Sequence, residues 1–68
     1  MNKHPGHIAM VDEARGTEER VDAATVPPSV AFVGDVPVLR VVHSKRGDDH
    51  VIRSYGPDGA LLSTTIGR

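Results

Sequence analysis

The chain has 68 residues, with no cysteine, no tryptophan, a single Phe and a single Tyr, and a net charge of −1 at neutral pH. That length holds one small domain, the missing cysteines exclude disulfide staples and thiolate metal ligands, and the balanced charge argues against a general phosphate-backbone binder, so nucleic acid is not an expected partner. No apolar run approaches the roughly 20 residues of a membrane helix, and Met1–His7 lacks the apolar core of a signal peptide, so no membrane partner is expected and cytoplasmic residence is the default.

Residues 1–7 read as disordered, because Pro5 and Gly6 disfavour helix. Over 8–24 the chain is polar with small apolar residues between. Ile8, Val11 and Ala14 share one helical face, and Val21 with Ala24 makes a second short stripe beyond Gly16. The spacing predicts nascent helix in an acidic-leaning arm that orders on a partner. Thr25-Val26-Pro27-Pro28 then stops any helix, since each proline forces the residue before it to be extended. These features divide the chain into an arm at 1–29 and a small β domain at 30–68.

From Val30 the composition turns to strand formers. Val30-Ala31-Phe32-Val33 is a short apolar run, broken by Gly34-Asp35. Val36 to His43 is rich in β-branched residues, with Pro37 pointing to an edge. Ser44-Lys45-Arg46-Gly47 fits a type I turn with Gly47 left-handed. His50 to Tyr55 forms the next strand and Ala60 to Ile66 the last. Between them, Pro57 pre-sets φ for a type I turn, Asp58 suits the next position, and Gly59 supplies the left-handed residue of a three-residue hairpin loop. Two such loops put Val41 opposite Val51, and Tyr55 opposite Leu61. The segment Arg53-Ser54-Tyr55-Gly56-Pro57-Asp58-Gly59-Ala60-Leu61-Leu62 resembles one unit of the YD-type β-repeats, and the resemblance implies a hairpin there without implying a function.

The predicted fold is therefore mostly β, a small three- to four-stranded antiparallel meander behind a disordered or weakly helical N-terminal arm. Candidate chemistry is sparse. His43 and His50 flank the first turn, where the predicted register sets His43 against Asp49. That cluster has the donor types of a zinc site but no zinc-motif spacing, so no metal and no cofactor is expected. Arg46-Gly47-Asp48 spells the tripeptide of integrin ligands, although a turn demands Gly and Asp there anyway. Arg40, Lys45, Arg46 and Arg53 make a basic patch that Asp48 and Asp49 largely cancel. No serine lies in a nucleophile elbow, and no Gly-rich phosphate loop is present, so no enzyme activity is expected.

So few large apolar side chains favour completion of the core by contact with other molecules. The expected function is a non-catalytic accessory subunit or adaptor. It would bind a larger protein, or a second copy, through a sheet edge (Val36–His43 or Ala60–Ile66) and the arm at 8–26. Val38, Leu39, Val41, Tyr55, Leu61 and Leu62 are the candidate contact or core residues. Two rivals are a precursor peptide for a modifying enzyme and a strand-dimerising nucleic-acid regulator.

Overall fold

The computed structural model describes residues 6–68. Among these residues seven strands form two sheets. β1 (His7–Asp12), β2 (Thr17–Asp22), β5 (Arg40–Arg46), β6 (Asp49–Tyr55) and β7 (Leu61–Gly67) build a five-stranded sheet in the order β2-β1-β5-β6-β7. β3 (Phe32–Val33) and β4 (Val36–Pro37) form a separate two-stranded hairpin. The fold is mostly β, but the sheet is mixed: β1 runs parallel to β5, with Ala9 beside Arg40 and Asp12 beside His43, while every other pairing is antiparallel.

The largest departure from the sequence reading lies at the N-terminus. The expected helix over 8–24 is a hairpin, and the sheet crosses the expected division at residue 29. The turn between β1 and β2 explains why. Asp12 accepts the Gly16 amide through its backbone carbonyl at 2.8 Å and the Arg15 amide through its carboxylate at 3.3 Å, and Gly16 closes the loop at φ +70°. Ile8 and Met10 then point to one side of the sheet and Ala9 and Val11 to the other, so an apolar run that could serve one helical face serves two sheet faces. Residues 7–22 thus pair within the chain's own sheet. Of the disorder expected for residues 1–7, His7 instead opens β1, where it pairs with Asp22, and residues 1–5 lie outside the described residues.

A crossover returns the chain from β2 to β5 over one face of the sheet. It consists of a 3-10 turn (Ala23–Thr25), one turn of helix α1 (Pro28–Ala31) and the β3–β4 hairpin. Asp22 caps the 3-10 turn by accepting the Ala24 amide at 3.0 Å. Pro28 opens α1 at the position where a missing N–H costs nothing. The crossover buries Ala23, Ala31 and Val38 against Ile8 of β1 and Val41 of β5, with Met10, Val26, Phe32, Val33 and Leu62 packed around them. Ile8 and Val38 are fully buried. Burying each such side chain is worth about 1.5–3 kcal/mol. The other buried large side chain, Val51, lies on the opposite face, between Ser44 and Ile66.

The two loops of the C-terminal meander differ. Pro57-Asp58-Gly59 spans Gly56 and Ala60, with Gly59 at φ +81° and the Gly56 amide donating to the Ala60 carbonyl at 3.0 Å, and Tyr55 pairs with Leu61. One residue later the register shifts: Ser54 pairs with Ser63, which leaves Leu62 as a bulge that packs on the core. The first loop is shorter than the type I turn predicted from Ser44-Lys45-Arg46-Gly47. Strand pairing continues to Arg46 opposite Asp49, leaving Gly47-Asp48 as a two-residue loop. Gly47 sits at φ +64° in its first central position, the arrangement of a type II′ turn. Val41 therefore faces Ser54 rather than Val51, and His43 faces Ile52 rather than Asp49.

Candidate protein-binding edge

Among the described residues, two strands of the five-stranded sheet, β2 and β7, have no neighbour on their outer side. Their sequences treat that exposure differently. β2 reads Thr17-Glu18-Glu19-Arg20-Val21-Asp22, and charge along an edge repels another strand's backbone. Glu18 adds a carboxylate 3.9 Å from the Arg40 guanidinium two strands away. β7 reads Leu61-Leu62-Ser63-Thr64-Thr65-Ile66-Gly67, with no charged residue and no proline. Beyond the Leu62 bulge its ladder is regular from Ser63 to Gly67. Leu61 and Ile66 are 52% and 65% exposed. A row of outward N–H and C=O groups flanked by Thr and Ile side chains has the chemistry that accepts another strand.

The expected edge at Val36–His43 does not exist as such. Pro37 ends β4, and β5 lies in the middle of the sheet between β1 and β6. The second expected edge, Ala60–Ile66, coincides with β7 apart from Ala60 and Gly67.

The singled-out residues separate by burial. Val38 and Val41 are core, and Leu62 is half-buried against it. Leu39 and Tyr55 line a shallow open hollow on the uncovered face with Ala9, Val11, Val42 and Arg53. Leu61 stands at the start of the β7 edge. Gly47 lies at one hairpin tip, and Pro57, Asp58 and Gly59 at the other. Arg46-Gly47-Asp48 is exposed at the hairpin tip, where Gly47 supplies the positive φ of the turn.

One polar cluster was partly visible in the sequence. Nε2 of His43 lies 2.8 Å from Nδ1 of His50. The ring planes differ by 7° with centroids 5.0 Å apart, the separation of two imidazoles joined edge to edge by such a bond rather than stacked face to face. On the far side of His43, Nδ1 faces Asp12 Oδ1 at 3.7 Å. The carboxylate comes from β1, not from Asp49, which lies near Arg68 with Oδ1 3.5 Å from its Nε. Nothing local in the sequence signals Asp12, because parallel pairing of β1 with β5 delivers it. Among the described residues no helix is long and apolar enough to cross a membrane. No protein-family model, no curated protein and no solved structure matches the chain.

Proposed function

We propose that this chain is a non-catalytic accessory subunit or adaptor that joins a larger protein by adding β7 to a strand of that partner. The observation that supports this reading is the contrast between the two free edges: β2 is lined by Glu18, Glu19, Arg20 and Asp22, whereas β7 carries no charge from Leu61 to Gly67. Selection against edge-to-edge association puts charges on edges, and β7 lacks them. Main-chain hydrogen bonds along Ser63–Gly67 would supply the affinity, and Ile66 with Thr64 the contacts on one face.

Capture of the partner from native lysate by three forms of the chain tests the reading. Thr65→Lys places a charge in the middle of the regular ladder and is expected to reduce capture at least tenfold. Thr17→Lys at the guarded edge is expected to leave it unchanged. Circular dichroism establishes that each variant is folded. Full capture by folded Thr65→Lys would contradict strand addition at β7.

A further inference from the structure

We propose that His43 and His50 chelate a divalent transition-metal ion, Cu2+ most tightly, with Asp12 orienting His43 from behind. The site spans three strands, with Asp12 on β1, His43 on β5 and His50 on β6. It lies beyond the crossover, on the part of the sheet face that the core leaves uncovered.

Asp12 Oδ1 faces Nδ1 of His43 at 3.7 Å, and a carboxylate there favours the tautomer that carries its proton on Nδ1. Nε2 of His43 then holds a lone pair, and at 2.8 Å it accepts the Nδ1–H of His50. His43 thus has one ring N–H turned toward a carboxylate, as metal-ligating histidines usually do, and the lone pair of its other nitrogen becomes available to an ion once the bond to His50 opens. His50 becomes the second ligand when its proton sits on Nε2 instead, so the ion takes the place of the hydrogen between the rings. No net proton is gained or lost by the neutral pair.

Ligand type selects the metal: imidazole suits Cu2+, Ni2+ and Zn2+, and at a given nitrogen site the affinity of divalent ions peaks at Cu2+. The 2.8 Å between the two nitrogens is the length of their hydrogen bond, which opens as the ion enters. The rings are coplanar, so both must turn to aim their lone pairs at an ion on one side, and both are only partly buried. Among the described residues no group of three or more His, Cys, Asp and Glu could hold a metal, so solvent completes the coordination. Lys45 lies directly across from His50 on β5 and opposes the ion's charge, while the Asp12 carboxylate favours it.

The test uses the full-length chain carrying His4→Gln and His7→Gln, which removes the N-terminal imidazoles that compete for Cu2+. Calorimetric titration with CuCl2 is expected to show one equivalent bound, at least tenfold tighter than ZnCl2. His50→Gln is expected to weaken binding at least tenfold and Asp12→Asn about tenfold. Lys45→Glu, which exchanges the opposing charge for a carboxylate, is expected to strengthen it. Paramagnetic broadening of amide resonances should centre on β5 and β6 around residues 43 and 50. Binding that survives His50→Gln at full strength, or broadening centred elsewhere, overturns the site. Loss of all Cu2+ affinity in the His4→Gln/His7→Gln chain overturns it as well.

Discussion

Replacing Ile8 by alanine asks whether the N-terminal segment belongs to the sheet. Ile8 is wholly buried, on a strand flanked by β2 and β5 and under the crossover. The substitution removes three carbon atoms' worth of apolar burial, about 2.4 kcal/mol at about 0.8 kcal/mol per group, and leaves a cavity beside Val38 and Val41. A total loss of about 3 kcal/mol is expected, within the range of about 2–5 kcal/mol for such changes. A domain of this length has only about 3–10 kcal/mol of stability, so the variant sits near the edge of unfolding. Urea denaturation followed by circular dichroism reads the loss. With a slope of about 1 kcal/mol per molar urea, the midpoint falls by roughly 3 M or the folded baseline disappears. Ile66→Ala is the control: at 65% exposure it should cost no more than about 0.5 kcal/mol in the unpartnered chain. Equal small shifts for the two variants would refute the placement of β1.

The turns give two further tests. Gly47→Ala forces a side chain into φ +64° at the hairpin tip, where nothing lies within 4 Å of the new methyl; the expected cost of about 1 kcal/mol is purely conformational and appears in the same urea titration. Gly56→Ala differs in cause, because its methyl would meet Leu62 Cδ1 at 3.1 Å; a double-mutant cycle with Leu62→Val should give a coupling of at least about 0.5 kcal/mol, whereas Gly47→Ala with Leu62→Val should be additive.

What the sequence disclosed depended on how local the determinant was. The Pro57-Asp58-Gly59 loop was legible because each residue answers a φ demand of its own position. The pairing of Tyr55 with Leu61 follows from it. The bulge at Leu62 was not legible, because the pull that creates it comes from the core cluster. Gly47 is legible as a turn residue but the turn type is not: Lys45 and Arg46 are as compatible with a strand end as with a loop, and strand pairing with His50 and Asp49 decides it. The N-terminal hairpin was hidden more deeply. β2 offers Val21 as its only large apolar residue, and Ile8 with Val11 also fits a helical stripe, so only the parallel neighbour β5 settles the conformation. The same non-local pairing supplies Asp12 to His43. For the edge, Ala60–Ile66 is readable as the last strand of the C-terminal meander. That β5 is internal is not, since strand order is a property of the whole sheet.

Hydrogen exchange along the full chain, free and with the captured partner, tests strand addition most directly. In the free protein the amides of β1 should be protected as those of β5 are, with the outward half of β7 exchanging fast. On binding, the account predicts slowing at Ser63–Gly67 with β2 unchanged. Slowing along Thr17–Asp22 while β7 stays fast would contradict it.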